Sequence, residues 1–137
     1  MALPFGMNDD TMLEKEISGH VIGAFFEVYN TLGPGFLERV YADAIEIELV
    51  ERGRSVEREI MIPIYYKGRK ISSQRADMIA DGRVIVEIKS TSVLPVDADR
   101  QLTNYLRASP MRVGLLLHFG PKARFLRRVH TTITPGP

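Results

Sequence analysis

The segment from residue 84 to residue 118 constrains the fold more than any other part of the chain. Val84–Lys89 is a short run rich in β-branched residues, and Val113–His118 is an apolar run typical of a buried strand. Val96–Ala108, between them, has helical spacing. Its apolar face consists of Ala98, Leu102, Tyr105 and Leu106. A helix between two strands is a crossover, so we expect the two strands to lie parallel in one sheet.

Two helices are expected before the strands begin. Thr11 and Glu14 have the spacing of a capping box, and apolar residues then recur at steps of three and four to about residue 31. Gly33-Pro34-Gly35 ends this helix. A second helix is expected over residues 36–52, with Gly53 as its stop signal.

Alternating and β-branched residues predict the remaining strands. They cover residues 57–66, 71–80 and 125–129, with a turn at 67–68 and a hairpin loop at Asp81-Gly82. The sequence therefore predicts an α/β fold in the order ααβββαββ, with a mixed β-sheet flanked by helices.

Composition indicates one folded domain. The 137 residues are 45% apolar and 26% charged, which excludes a disordered chain. The sequence contains no cysteine, which excludes disulfides, thiolate metal sites and cysteine nucleophiles. No apolar run approaches the roughly 20 residues of a membrane span, and no signal peptide is evident, so we expect a cytoplasmic protein without membrane contact. We expect a flexible leader at 1–10, the domain at 11–130 and a flexible tail at 131–137.

The charge is distributed unevenly along the chain. The net charge is +1, but residues 1–99 carry 11 cations and all 17 acids, whereas residues 100–137 carry seven cations and no acid. This split is typical of a protein that binds an anion such as nucleic acid. A basic surface that pairs with acidic helices of the same chain explains it equally well, and the sequence leaves both interpretations open.

Charged residues interrupt the strand at 84–89. Glu87 and Lys89 share one strand face with Ile85, and burying them there is costly unless they are paired or bind a metal. Asp77 reaches this face only in one hairpin register. A two-residue loop at 81–82 pairs it with Val86 on the other face, whereas a three-residue loop at 80–82 pairs it with Ile85.

Asp77 and Glu87 are hard oxygen ligands of the kind that Mg²⁺ or Mn²⁺ prefers, and Lys89 would activate water and offset phosphate charge. The alternative is a cross-strand salt bridge between Lys89 and one of the acids. Glu38 falls on the apolar side of the second helix, beside Ile45 and Leu49, where a carboxylate needs a partner.

The later helix carries two further candidates and a polar row. Gln101 lies at the edge of its apolar face, one turn from Tyr105, and ordinary packing explains the pair as well as function does. Its other side carries Arg100, Asn104 and Arg107, which are well placed for phosphates. His20, His118 and His130 show no metal-ligand spacing.

The chain resembles the bacterial GxxExxY proteins, which are assigned to the PD-(D/E)xK nuclease superfamily. Gly35-Phe36-Leu37-Glu38-Arg39-Val40-Tyr41 matches their signature. Arg75-Ala76-Asp77, Val86-Glu87-Ile88-Lys89 and Gln101-x-x-Asn104-Tyr105-Leu106 follow in the expected order, and the likeness covers roughly residues 13–130. Ala76 stands where the superfamily's name has proline.

The resemblance implies a restriction-endonuclease-like core with a Mg²⁺ site on its central hairpin, where Mn²⁺ would substitute. It implies that Asp77, Glu87, Glu38 and the backbone carbonyl of Ile88 bind the metal and that Lys89 is catalytic. Gln101 would help to position the metal or the substrate.

The sequence as a whole predicts a Mg²⁺-dependent nuclease that hydrolyses phosphodiester bonds in DNA. The alternative is a weakly active or inactive nucleic-acid-binding or accessory module of the same fold. The expected partner is nucleic acid, and either a homodimer or a partner protein would suit a small nuclease. The residues expected to bind nucleic acid are Arg100, Asn104, Tyr105, Arg107, Arg124, Arg127 and Arg128.

Overall fold

A computed structural model describes residues 14–131. Five strands form one mixed sheet in the spatial order β1-β2-β3-β4-β5, and three helices pack against it. The elements are α1 (Lys15–Leu32), α2 (Glu38–Glu51), β1 (Val56–Tyr66), β2 (Arg69–Ala80), β3 (Val84–Lys89), α3 (Ala98–Ala108), β4 (Val113–Phe119) and β5 (Ala123–Val129). The predicted order ααβββαββ and the α/β class are confirmed.

The predicted crossover is also confirmed. β3 and β4 are parallel neighbours, with Val84 opposite Val113 and Lys89 opposite His118, and α3 connects them. All other neighbouring strands are antiparallel. Because β3 lies in the middle of the sheet, both of its faces are covered, and this explains its short, almost uninterrupted apolar sequence.

The sheet separates two cores. On one face, β3 and β4 pack through Val86, Ile88, Leu115 and Leu117 against apolar side chains of α1 and α2. On the other face, Ile85 and Leu116 pack against α3. The charged residues of β3, Glu87 and Lys89, therefore belong to a strand that is held by hydrophobic packing on both faces.

The connection between α1 and α2 is built around Tyr41. The Tyr41 hydroxyl donates to the carbonyl of Gly33 over 2.6 Å and accepts from the N–H of Phe36 over 3.1 Å. Its ring stacks on Phe119, with 3.9 Å between the ring centroids. Gly35 has a φ of +110°, which side chains strongly disfavour, so the motif needs glycine there.

The helix boundaries differ in detail from those expected. α2 begins at Glu38 rather than near Phe36, and Leu37, expected in its apolar arc, is 78% exposed because it precedes the first helical residue. Thr11 of the predicted capping box lies outside the described residues, as do the leader and most of the tail. Within the described part of the chain, no helix is long and apolar enough to cross a membrane.

The β2–β3 hairpin has neither of the two registers considered from the sequence. Ala80 pairs with Val84, and Met78 pairs with Val86, so the loop is Asp81-Gly82-Arg83. Both expected loops were therefore wrong. Asp81 and Gly82 have positive φ, and the Asp81 carboxylate is held by Arg54 and Ser55, contacts that hairpin rules do not consider.

The alternation of side chains between the two sheet faces is interrupted in β1 and β2 at the level of Asp77. In β2, Ala76 packs in the core beside α3, whereas Met78 packs in the opposite core, although simple alternation would place both on one face. Glu59 lies between the partners of these two residues in β1 and has a φ of +55°. β2 and β3 thus part at Asp77, and this opening accommodates the candidate site.

Candidate metal and nuclease site

Asp77 and Glu87 lie together where β2 and β3 part. The N–H of Asp77 donates to Oε1 of Glu87 over 3.1 Å, and the N–H of Ile88 donates to Oδ2 of Asp77 over 2.7 Å. Two side chains thus replace the regular backbone pairing of the hairpin at this point. The structure brings together the two carboxylates that the sequence proposed, through a register that the sequence did not anticipate.

Glu87 is buried, and only 4% of it is exposed. Burial, followed by the negative charge of Asp77, raises the pKa of Glu87 to about 8, although the Asp77 N–H and the charge of Lys89 oppose this rise. Two carboxylates in this position repel each other when both are ionised. A cation bound between them would remove that repulsion, so the donor set fits a hard divalent ion.

Glu38 and Lys89 complete the charged environment. Burial raises the pKa of Glu38, the positive charge of Lys89 lowers it, and the negative charge of Asp77 raises it further. A backbone N–H bond from Ser90 also lowers this pKa. Glu38 therefore lies within electrostatic reach of both residues, at the first turn of α2, where Tyr41 fixes the preceding loop.

A cleft of about 180 Å³ opens between α2 and the parting strands. Glu38, Asp77, Ile88 and Arg75 line it. Arg75 is exposed, and the sequence placed it in the Arg75-Ala76-Asp77 motif without assigning it a role at the site. The cleft therefore offers a phosphate group both acidic and basic neighbours.

Gln101 and Tyr105 form a hydrogen-bonded chain on the α3 side. Nε2 of Gln101 donates to the Tyr105 hydroxyl over 3.1 Å, and this hydroxyl donates to the carbonyl of Arg75 over 3.0 Å. Burial and the charges of Glu87 and Asp77 raise the pKa of Tyr105 to about 12. Gln101 thus contacts the site through Tyr105, and Tyr105 anchors the strand that carries Asp77.

His118 is a second residue to which the sequence assigned no role at the site. It is buried opposite Lys89, and its Nε2 lies 2.7 Å from the carbonyl of Thr91. Its Nδ1 is buried and has no hydrogen-bond partner among the described residues. The contact ties the segment after Lys89 to β4. The parallel register that creates it could not be read from local sequence.

The basic residues expected to bind nucleic acid do not form one surface. Arg100, Asn104 and Arg107 are exposed along α3 as expected. Tyr105 was expected to bind nucleic acid with them, but it is buried in the core between α3 and the sheet. Arg128 holds Asp99 through two hydrogen bonds of 2.7 Å. By strand alternation Arg124 shares the α3 face of β5 with Leu126, whereas Arg127 shares the opposite face with Val129.

For Arg128, the interpretation that the basic residues pair with acidic helices of the same chain therefore holds. Arg100 also pairs with an acid, Asp97, over 2.8 Å. Both partners of that pair are largely exposed, so the pair is weak and an incoming phosphate could replace it.

Metal coordination by three side chains is not preformed. Among residues 14–131, no group of three histidine or acidic side chains is arranged to hold a metal ion. Asp77 and Glu87 are the pair in direct proximity, and Mg²⁺ commonly binds one or two carboxylates while it retains several waters. The arrangement therefore fits Mg²⁺ better than a metal that requires a complete protein cage.

A family model of the PD-(D/E)XK nuclease superfamily matches residues 15–129. The match covers most of the chain, and the protein belongs to this superfamily. Comparisons with curated proteins and with solved structures give no match. Membership implies a nuclease-like function with nucleic acid as the substrate, in a superfamily that generally uses divalent metals.

Proposed function

We propose that the protein is a Mg²⁺-dependent nuclease that hydrolyses phosphodiester bonds in DNA, with Mn²⁺ as a substitute metal. The contact between Asp77 and Glu87 at the parting of two strands carries this proposal. The motif at Gly35–Tyr41 further supports a place among the GxxExxY proteins within the superfamily. A cytoplasmic location, and a homodimer or a partner protein that delivers the substrate, belong to the same proposal.

Asp77 and Glu87 would hold the metal, together with the backbone carbonyl of Ile88. When bound, Mg²⁺ would supply Lewis-acid activation of water and stabilisation of the charge that develops on the phosphate. Glu38 faces the same cleft and would bind the metal or its waters. Hydrogen bonds from the main chain hold Asp77 and Glu87 in position before any ligand arrives.

Lys89 would act on the attacking water and on the phosphate. It shares the strand face of Glu87, and its charge acts on both Glu87 and Glu38. An ammonium group beside the scissile phosphate stabilises the negative charge that accumulates in the transition state. Gln101 would act as a positioning residue through Tyr105, because its amide reaches that hydroxyl.

Arg100, Asn104 and Arg107 would contact phosphates along α3, and Arg124 would extend this contact from the α3 face of β5. Arg127 lies on the opposite face of β5 and would contact phosphates there. Phosphate contacts fix the register of a nucleic acid without reading its sequence. Two members of the expected set are exceptions: Tyr105 is buried, and the bidentate pair of Arg128 with Asp99 joins β5 to α3. We therefore assign Arg128 a structural role.

The test is hydrolysis of labelled DNA by wild type, Asp77→Asn and Lys89→Gln, with Mg²⁺ or with EDTA. We expect cleavage by wild type with Mg²⁺ and a loss of at least about 100-fold in both variants, as for removal of other groups that stabilise transition-state charge. Glu57→Gln, at an exposed position of β1, is the matched control and should retain activity. If wild type binds DNA and does not cleave it, the protein is the binding or accessory module instead.

A further inference from the structure

The long β1–β2 hairpin projects past the candidate site. The pairing of β2 with β3 covers Met78–Ala80, whereas its pairing with β1 continues to Arg69 at the far end. We call the part from Ile60 to Ala76 the arm. It begins one residue before Asp77, so any substrate that enters the cleft passes its base.

The base of the arm is held firmly by α3. Ile60, Ile62 and Ala76 pack in the core on the α3 side. The Tyr105 hydroxyl donates to the carbonyl of Arg75. These contacts fix the direction of the arm relative to the site, because they involve buried side chains and a backbone carbonyl.

The tip of the arm is narrow, exposed and basic. Lys67 and Gly68 form the turn with φ values of +50° and +76°, as in the tight type I′ turns that join two strands. The whole arm contains the cations Lys67, Arg69, Lys70 and Arg75, and it contains no acid. Its net charge of +4 contrasts with the +1 of the entire chain.

A groove of about 360 Å³ continues the arm towards α3. It is lined by Ser72 and Gln74 from the arm and by Asn104 and Arg107 from α3. The groove lies on the α3 face of the arm and the cleft with Asp77 lies on the α2 face, so the arm borders both. Arg75 belongs to both the arm and the cleft.

We propose that the arm binds duplex DNA, with Lys67, Arg69 and Lys70 on backbone phosphates and the two-stranded ribbon in the major groove. The major groove of B-form DNA is about 12 Å wide and admits a two-stranded ribbon, whereas the major groove of duplex RNA is too deep and narrow. A second copy of the chain is a poor occupant, since two arms would oppose four positive charges to four.

The length of the arm sets the reach of this contact. Arg69 lies eight residues before Asp77 on β2, which corresponds to about 26 Å at a rise of about 3.3 Å per residue. At about 3.4 Å per base pair, the tip would contact phosphates about eight base pairs from the site. The proposal deepens the proposed function, on which it rests for the position of the scissile phosphate.

Fluorescence anisotropy in EDTA tests the proposal, with full-length protein and a labelled 30-base-pair DNA duplex. The test variant is K67A/R69A/K70A, and the charge-preserving variant is K67R/R69K/K70R. The matched control is K15A/R83A/R112A, which removes three exposed cations at the end of the sheet opposite to the arm, where β3 and β4 begin. Circular dichroism and thermal unfolding establish that all variants are folded.

We expect the test variant to bind at least about tenfold more weakly and to lower the salt slope, log K against log[salt], by about 2.7, which is 0.9 for each lost phosphate contact. The charge-preserving variant and the matched control should keep the wild-type slope. On shorter duplexes that end within about eight base pairs of the site, the test variant should bind like wild type.

Equal losses in the test variant and in the matched control would overturn the proposal, as would an equal loss of affinity for duplex RNA. Hydrolysis separates this outcome from failure of the proposed function. If cleavage depends on Asp77 but the test variant binds DNA like wild type, only the proposal that the arm binds DNA is refuted. If DNA binding depends on the arm but no cleavage occurs, the proposed nuclease activity is refuted and the proposed arm contact is retained.

Discussion

The carboxylates of Asp77 and Glu87 each accept a hydrogen bond from a backbone N–H of the opposite strand. The Asp77 N–H reaches the Glu87 carboxylate, and the Asp77 carboxylate reaches the N–H of Ile88, which follows Glu87. This reciprocal arrangement fixes both carboxylates where the β2–β3 pairing ends. It holds two carboxylates close together at a partly buried position, where ionising both of them costs free energy. The properties of the site follow from this free-energy cost.

Metal binding should depend on both carboxylates. Calorimetric titration with Mn²⁺ should show saturable binding to wild type and its loss in Asp77→Asn and in Glu87→Gln, because each change removes a charged ligand from the same ion. Glu57→Gln changes an exposed carboxyl in the same way and should leave binding intact. Undiminished Mn²⁺ binding in either site variant would show that the ion binds elsewhere.

Stability of the metal-free protein should fall as pH rises from about 4.5 to about 8. The pKa of Glu87 is about 8 in the folded chain, so the folded state binds more protons than the unfolded state throughout that window. The slope should be on the order of 1 kcal/mol per pH unit, and Glu38, whose pKa is also raised, acts in the same direction. Urea unfolding in EDTA at several pH values measures the slope.

Glu87→Gln is the informative comparison for this pH dependence. It should flatten the slope and should be more stable than wild type at pH 9 in EDTA. Below pH 4 both proteins should lose stability, since Arg54 and Arg128 lower the pKa values of Asp81 and Asp99, which are then protonated. An unchanged slope in Glu87→Gln would mean that another group binds the proton.

Metal affinity should rise with pH below 8. Binding requires ionised Glu87, so the ion must displace a proton whenever that carboxyl is protonated. The apparent Kd should weaken about tenfold for each pH unit between 8 and 6. Titrations in buffers of different ionisation enthalpy should reveal release of close to one proton per ion at pH 6. A Kd independent of pH would contradict this coupling.

Tyr41→Phe should weaken both the fold and the site. It removes the hydroxyl that joins Gly33 to Phe36 and should lower the free energy of unfolding by about 1–3 kcal/mol, because two backbone groups lose their partner. Hydrolysis should fall further than unfolding explains, since this loop sets the position of Glu38. Tyr66→Phe, at an exposed tyrosine, should leave the free energy of unfolding unchanged.

The sequence was sufficient for elements whose determinants are local. Periodicity located β3, α3 and β4, and the crossover between them predicted that β3 and β4 are parallel. Gly53 follows the end of α2 with a φ of +81°, as the stop signal indicated. Asp77, Glu87 and Lys89 were proposed as site residues because charges in a buried strand require an explanation.

Features that depend on distant partners were not accessible in this way. The hairpin register depends on Arg54 and Ser55 holding Asp81 across 26 or 27 residues of chain. Arg128 pairs with an acid in α3, so its position in an acid-free segment was misleading. The twist at Glu59 has no local signal, because glutamate rarely adopts a positive φ.

The hydrogen bonds that hold Asp77 and Glu87 come from peptide groups, and this has an evolutionary consequence. A side-chain donor is lost by a single codon change, but the N–H of residue 88 survives every substitution except proline. The apolar neighbours Met78, Val86 and Ile88 are therefore open to exchange for others of similar volume without loss of the donors. Lineages of this chain can diversify around the site while its two carboxylates keep their places.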